Sequence, residues 1–337
     1  MPMHQVFDLG RFALESGADL PEARLAYTTQ GALNADGDNA VLLPSYYTGT
    51  HASYEPWIGP GRALDPERWF IVSVNLFGNG VSTSPSNAAE EVRAVRGAAF
   101  PEVSIGDNVR AQRQLAEHLG VRRWRLVAGW SMGALQAYEW AVRHPEFVDA
   151  FLPVAGAARC SPHNAVFLAG VEAALRADPA FDGGRYTTPP RAGLRAFGTV
   201  YAGWAYSQAF FRDGTYRELG YADVADLLED WAADHERWDA NDLLAMLRTW
   251  QRADPGRGVK GGLAAALGGV RARSLVMPSS TDLYFTVEDN VLESAMMPRS
   301  EVRVIESDLG HVAGRPGVRA AETAVIEAAL RELLGER

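Results

Sequence analysis

The chain has little cysteine and no long apolar run, and each shortage excludes a class of protein. Cys160 is the only cysteine in 337 residues, which excludes an internal disulfide bond and a metal site made of several cysteines. Nowhere do 18 apolar residues follow one another, and the first residues do not form a basic segment followed by an apolar one. The sequence therefore predicts no membrane span, no secretion signal and a cytoplasmic location.

Clusters of basic residues are also missing. The chain carries a net charge of −10, and it contains no run of lysine and arginine. Since binding to the phosphates of a nucleic acid needs a basic surface, we expect no nucleic acid partner. A small neutral or apolar molecule is the partner that this composition favours.

Short β-type segments alternate with longer helical ones along most of the chain, which is typical of an α/β fold with a parallel sheet covered by helices. Helical spacing occurs at 105–120, which Gly120 closes, and at 132–144, which Pro145 stops. The predicted strands are 22–29, 40–45, 69–75, 124–129, 149–155, 272–277 and 301–306.

This alternation stops between residues 156 and 268. The segment is rich in aromatic residues, has helical spacing and contains no convincing strand. It predicts a helical cap inserted over the carboxyl edge of the sheet, with a core formed by 1–155 and 269–337. The glycine-rich stretch at 256–262 is the expected return from cap to core.

The pentapeptide Gly-Trp-Ser-Met-Gly at 129–133 places Ser131 between a β-type run and a helical run. A nucleophile elbow, in which a strained strand-to-helix turn projects a serine beyond the sheet, has this context. Gly129 and Gly133 remove the Cβ atoms that would clash where helix and strand approach. Ser131 is therefore the predicted nucleophile.

A serine nucleophile needs a base and an acid that orients the base, in the chain order Ser, acid, His for this architecture. His311 follows the last predicted strand, and Asp282 lies just beyond the strand before it. Asp308 and Asp289 remain as alternative acids, the first close to His311 in the chain and the second on a predicted helix. His163 and His235 fall in the cap segment and are interpreted as surface or structural residues.

Two backbone N–H groups are expected to bind the developing oxyanion. The first belongs to Met132, the residue after the nucleophile. The second comes from the loop after strand 40–45, from Tyr47 or, as the alternative, from Tyr46. His51 lies in the same loop and is a candidate for the wall of the substrate pocket.

Several quoted stretches together resemble the homoserine O-acetyltransferase family of α/β-hydrolases. They are SYYTGTHASYEPWIGPGRALDPERWFIVSVNLFGNGVSTSPSN, FPEVSIGDNVRAQRQLAEHLG, GWSMGALQAYEWAVRHPE, DANDLLAMLRTWQRAD and the pair TDLYFTVEDN and GHVAGRP. The resemblance spans about residues 20–330. It implies an α/β-hydrolase fold with an eight-stranded core and a helical cap, a catalytic triad of Ser131, Asp282 and His311, and a homodimer formed through the cap.

Two departures bear on the substrate. The family's transferases carry an acidic residue directly after the catalytic histidine and an arginine on a cap helix, and these hold the ammonium and the carboxylate of homoserine. Here those positions are Val312 and Gly198, with Arg195 nearby. Because burying an amino acid's two charges without partners is costly, homoserine is disfavoured, and the chain looks more like the shorter, esterase-like branch.

These observations predict a serine hydrolase that cleaves short-chain, acetyl-type esters without a metal or other cofactor. The pocket is expected to be lined by Tyr46, His51, Trp130, Tyr201, Trp204 and Val312. One alternative is an O-acyltransferase that uses the same acyl-enzyme to pass a group from acyl-CoA to a small alcohol. Another alternative, of a different class, is a non-catalytic ligand-binding protein on the same scaffold.

Overall fold

The computed structural model describes residues 3–88, 92 and 95–335. Its strands form one eight-stranded sheet in the order β1-β2-β4-β3-β5-β6-β7-β8. The pairings of β1 with β2 and of β2 with β4 are antiparallel, and every pairing from β4 to β8 is parallel. The strands are β1 (Gln5–Ala13), β2 (Asp19–Gln30), β3 (Ala40–Pro44), β4 (Phe70–Val74), β5 (Trp124–Trp130), β6 (Ala150–Val154), β7 (Arg273–Val276) and β8 (Ser300–Val302).

The described residues also form ten α-helices. The predicted helices at 105–120 and 132–144 are confirmed as the first two. The helices are α1 (Ile105–His118), α2 (Met132–Arg143), α3 (Pro162–Arg176), α4 (Arg191–Ala205), α5 (Gln208–Asp213), α6 (Val224–Glu236), α7 (Ala240–Gln251), α8 (Gly262–Gly268), α9 (Val287–Ser294) and α10 (Ala320–Leu334).

Both faces of the sheet are buried, which explains why its central strands read as continuous apolar runs. Along β3, Val41 and Leu43 join one core cluster and Ala40 and Leu42 join the other. The first cluster continues into α10 and the helices between β6 and β7, and the second into α1 and α2. The sheet is thus a rigid support for the residues at the ends of its strands.

Two strand predictions differ from the structure. Strand β1 was not predicted, because a bulge at Gly10, which has a φ of 61°, breaks the alternation of apolar and polar residues. The predicted strand 301–306 begins at Ser300 and ends at Val302. Beyond that point only an isolated bridge between Ser279 and Ile305 continues the pairing.

The segment between β6 and β7 contains α3 to α8 and, over described residues 155–272, no strand. Helices α4 and α6 pack closely together and contribute to the first core cluster. Helix α8 instead packs on the sheet's second face through Leu263 and Leu267. No helix among the described residues is both long and apolar enough to cross a membrane.

Candidate active site

Ser131 lies on a strained turn between β5 and α2. Its φ of 58° and ψ of −123° fall in a region that L-residues rarely adopt. The Ser131 N–H donates to the Val154 carbonyl at the end of β6 at 3.0 Å, which ties the turn to the neighbouring strand. The side chain caps no helical N–H, so Oγ stays available for other contacts.

The two glycines of the motif are required by space. A Cβ atom on Gly129 would lie 2.3 Å from the backbone of Gly133, and one on Gly133 would lie 2.5 Å from the Tyr54 hydroxyl. The Tyr54 hydroxyl is fixed there, because it donates to the Pro44 carbonyl at 2.9 Å and accepts from the Trp130 N–H at 3.0 Å. The spacing Gly-x-Ser-x-Gly thus follows from how closely α2 approaches β5.

His311 links Ser131 to Asp282. Its Nε2 atom is 2.9 Å from the Ser131 Oγ, and its Nδ1 atom is 2.8 Å from the Asp282 Oδ2. The other carboxylate oxygen of Asp282 accepts the N–H groups of Tyr284 and Phe285 at 2.7 and 3.2 Å. All three side chains are buried, and the geometry allows a proton to pass from serine to imidazole.

The alternative acids have other partners. The Asp308 carboxylate accepts hydrogen bonds from Arg319 at 2.9 Å and from the Thr215 hydroxyl at 2.6 Å. Hydrogen bonds and the positive charge of Arg319 hold the Asp308 pKa below its usual value against the effect of burial. Asp289 lies in the first turn of α9, where its N–H bonds to the Thr286 hydroxyl. Asp282 is the acid that contacts His311.

Among the described residues, neither the Tyr47 N–H nor the Met132 N–H donates a hydrogen bond. Met132 begins α2, where backbone N–H groups have no partner within the helix. The Tyr47 side chain is anchored to α7 by its hydroxyl, which donates to the Leu243 carbonyl at 3.1 Å. Both N–H groups are therefore free to bind an oxyanion.

A pocket of about 410 Å³ is lined by Ser131, His311, residues that follow strands β3 and β5, and residues of the segment between β6 and β7. Of the predicted wall residues, Tyr46, Trp130, Tyr201 and Val312 line it, together with Tyr47. The Trp130 ring stacks on the His311 ring at 5.1 Å, and its indole N–H donates to the His311 carbonyl at 3.2 Å. This inner part of the pocket is aromatic.

Two predicted wall residues lie elsewhere. His51 is buried within the loop, where its backbone N–H donates to Asn75 and its ring contacts His4 at 5.4 Å. Trp204 does not line the pocket and packs instead against His163 and Phe167 on α3. The sequence predicts the loop or helix to which each of these residues belongs, but it does not predict the direction of the side chain.

His235, which is interpreted above as a surface or structural residue, is buried among aromatic rings and also lines the pocket. The outer pocket is also more polar than predicted. No spacing in the sequence signals this, since most of these residues lie on α6 and in the turns around it, whereas Arg315 follows the turn that carries His311. The polar residues there are Tyr221, Asp230, Asp234, His235, Arg237 and Arg315.

Positions 198 and 312, which hold the two charged groups of homoserine in the family's transferases, carry no charged side chain here. A Cβ atom on Gly198 would lie 2.4 Å from the Trp231 carbonyl oxygen, so α4 and α6 leave no room for an arginine side chain. Val312 is 3% exposed and lines the pocket without charge. Arg195 does not substitute, because its guanidinium binds Glu229 and Glu236 at 2.5 and 3.0 Å.

No group of three or more histidine, cysteine and acidic residues with metal-binding geometry occurs in the described part of the chain. That the reaction needs no metal stays a prediction.

Several known proteins resemble this chain over most of its length. A family profile described as alpha/beta hydrolase fold matches residues 40–203. The chain is 41% identical to an ethyl acetate hydrolase of Pseudomonas veronii, over 98% of this chain and 95% of that protein. It is 36% identical to a homoserine O-acetyltransferase of Thermobifida fusca, over 88% and 86% of the two chains. The structure of an acetylester hydrolase from Corynebacterium glutamicum superposes with a TM-score of 0.95, at 39% identity over 99% and 96%.

Proposed function

The chain belongs to the alpha/beta hydrolase fold family, in the branch that holds acetyl esterases and homoserine acyltransferases, and from this premise we propose that it is a serine hydrolase of short-chain carboxylic esters. The observation that carries the proposal is the continuous hydrogen-bonded path from Ser131 through His311 to Asp282 at the wall of a pocket. The similarity to an ethyl acetate hydrolase supports an acetyl-type substrate.

In the proposed mechanism, the Ser131 Oγ attacks the ester carbonyl while the His311 Nε2 takes the serine proton. Asp282 holds the imidazole in the tautomer that carries hydrogen on Nδ1 and stabilises the imidazolium that forms. The N–H groups of Tyr47 and Met132 bind the oxyanion of the tetrahedral intermediate. His311 then protonates the departing alcohol, which leaves an acetyl ester on Ser131.

Water completes the cycle in the hydrolase. His311 takes a proton from the water as the water oxygen attacks the acyl carbon, and it returns that proton to Ser131 as the acid leaves. In an acyltransferase an alcohol would take the place of the water. The uncharged Val312 and the obstructed position 198 favour the hydrolase, because they leave homoserine without its two expected partners.

The test is a side-by-side assay of the purified protein. Ethyl acetate and 4-nitrophenyl acetate are supplied alone, then with homoserine as acceptor, and acetyl-CoA with homoserine is supplied separately. We expect acetate release from both esters, and little O-acetylhomoserine. Rapid formation of O-acetylhomoserine from acetyl-CoA with slow ester hydrolysis would overturn the hydrolase in favour of the transferase. Ser131→Ala, purified in the same way, controls for contaminating esterases.

We also propose that the chain forms a homodimer through cap helices and works in the cytoplasm. The exposed face of α3 supports the dimer, since it is largely apolar and includes Val166, which is 66% exposed. Val200 on the neighbouring helix α4 is 39% exposed. Sedimentation should give about twice the chain mass for the wild type and the chain mass for Val166→Glu. A monomeric wild type would contradict the proposed dimer.

A further inference from the structure

His235 presents an unused hydrogen-bond acceptor to the pocket. Its Nδ1 atom lies 2.9 Å from the Trp231 carbonyl oxygen. Because a carbonyl oxygen only accepts, Nδ1 must carry the hydrogen of this bond. In the neutral ring Nε2 is then an unprotonated acceptor, and it has no partner among the described residues.

The surroundings keep this imidazole neutral. His235 is 3% exposed, and its ring lies 5.6 Å from the rings of Phe197 and Tyr201 and 5.7 Å from that of Trp231. Burial among these rings lowers the His235 pKa, an effect that the hydrogen bond to Trp231 and the charge of Asp234 only partly oppose. The Nε2 atom itself stays reachable from the pocket, since it does not belong to the fully enclosed polar atoms that lack a partner, so a bound molecule can donate a hydrogen bond to it.

A structural role accounts for only one of the two ring nitrogens. The Nδ1 bond to Trp231 spans one turn of α6, and a phenylalanine or leucine would fill the same aromatic space without leaving a lone pair unpaired. The Nε2 atom is the part of the side chain that packing leaves unexplained, and His235 lines the same pocket as Ser131.

The partner of Nε2 must be a hydrogen-bond donor, and an acetyl group carries none. The donor therefore belongs to the alcohol part of the ester. The charged side chains of the pocket are two carboxylates, Asp230 and Asp234, and two guanidiniums, Arg237 and Arg315, so they cancel. This balance favours a polar but uncharged alcohol.

We propose that His235 is a specificity-determining residue whose Nε2 accepts a hydrogen bond from a free hydroxyl on the alcohol part of the substrate. The inference rests on the proposed esterase function and narrows it. The substrate class is the short-chain monoester of a diol or polyol, in which one hydroxyl is acylated and another is free.

The test compares esters of equal size with and without the hydroxyl. The pairs are 2-hydroxyethyl acetate with propyl acetate, 3-hydroxypropyl acetate with butyl acetate, and 4-hydroxybutyl acetate with pentyl acetate. At least one hydroxylated ester should have a kcat/KM roughly tenfold above that of its partner, because one net hydrogen bond is worth about one factor of ten. The chain length that gives the preference reports the distance from Ser131 to His235.

Variants then assign the preference to the Nε2 lone pair. In His235→Phe the ratio of kcat/KM within the preferred pair should fall to about one, and in His235→Gln, which keeps an acceptor, it should recover in part. His118→Phe, on α1 and outside the pocket, should keep the wild-type ratio. The ratio is independent of how much enzyme is folded, so partial unfolding of a variant does not mimic the result.

Two outcomes would overturn the inference: a wild type with no preference in any pair, or a preference that survives in His235→Phe. Both leave the esterase proposal intact if ethyl acetate is hydrolysed through Ser131. Failure to hydrolyse any of the six esters would instead count against the proposed function itself.

Discussion

Ser131 and His235 line one pocket, the first from the core and the second from the cap, and different forces fix them. Ser131 is held by backbone, since its turn joins two regular elements and bonds to the end of β6. His235 is held by side-chain packing among rings from α4 and α6 and by one bond to its own helix.

Because the two residues are held differently, we expect one part of the pocket to determine the rate of the chemical step and the other to determine which ester is preferred. Backbone at the end of a central strand moves little when a neighbouring side chain changes, whereas packed helices of a cap shift with the side chains between them. Substitutions on the core side should therefore change the rate for every ester alike. Substitutions on the cap-facing side should change the ranking of esters.

The largest effect is expected for Ser131→Ala. Removing the nucleophile should lower kcat on every ester by about 10⁶-fold, because no other group forms the acyl-enzyme. The matched control is Ser279→Ala, since Ser279 is fully buried at the same edge of the sheet and its hydroxyl is unpaired. Comparable losses in the two variants would point to general damage and against a nucleophile at 131.

Asp282→Asn should have the next largest effect. The amide would favour the wrong tautomer of His311 and lower kcat by about 10⁴-fold, with little change in KM. Asp308→Asn serves as the comparison, because it removes a charge from the bond to Arg319 without touching His311. If Asp308→Asn proves more damaging to kcat than Asp282→Asn, the acid has been misassigned.

Val312→Asp should change the ranking of substrates by a smaller amount. A carboxylate beside His311 would bind an ammonium group, so the ratio of kcat/KM for O-acetylhomoserine to that for ethyl acetate should rise by about ten- to a hundredfold. Val312→Asn provides a similar shape without the charge. An unchanged ratio in the aspartate variant would show that an ammonium group lies elsewhere in the pocket.

The smallest expected effect concerns stability and pH. Burial raises the pKa of Glu293 to about 7, although its carboxylate accepts the N–H groups of Ala158 and Arg159 at the start of the cap. Because the folded state holds this proton above the ordinary pKa, the free energy of unfolding should fall as the pH rises from about 5 to 7, by at most about 1.4 kcal/mol per pH unit from this group.

Urea unfolding at pH 5 and at pH 8 checks this expectation. The wild type should lose more stability between the two values than Glu293→Gln, which cannot titrate. Exposed Glu288 on the same helix gives the control variant Glu288→Gln, for which the wild-type loss should persist. Equal losses in all three proteins would mean that Glu293 does not carry a raised pKa.

The catalytic residues were predictable from the sequence because local patterns specify them. A β-type run, a glycine-flanked serine and a helical run define the turn at Ser131, and the chain order of Asp282 and His311 follows from the fold. Even the clash that excludes a side chain at Gly129 is local, since its partner is Gly133. Strand β1 is the exception, because its bulge at Gly10 removes the periodicity on which the prediction depends.

The cap side was predictable only in outline. Helical spacing marks α4 and α6, but the approach that brings Trp231 to Gly198 depends on how the two helices pack. That packing turns His235 toward the pocket and Trp204 away from it. Such orientations depend on contacts between residues far apart in the chain, which one sequence does not reveal.

The most direct test of the central claim, that Ser131 is the nucleophile, is covalent labelling with a fluorophosphonate followed by tryptic mass spectrometry. Cleavage after Arg125 and Arg143 isolates residues 126–143, in which Ser131 is the only serine. We predict one adduct per chain in this peptide, loss of ester hydrolysis in proportion to labelling, and no adduct there in Ser131→Ala. An adduct on another residue that abolishes activity, or full activity after complete labelling of this peptide, would contradict the account.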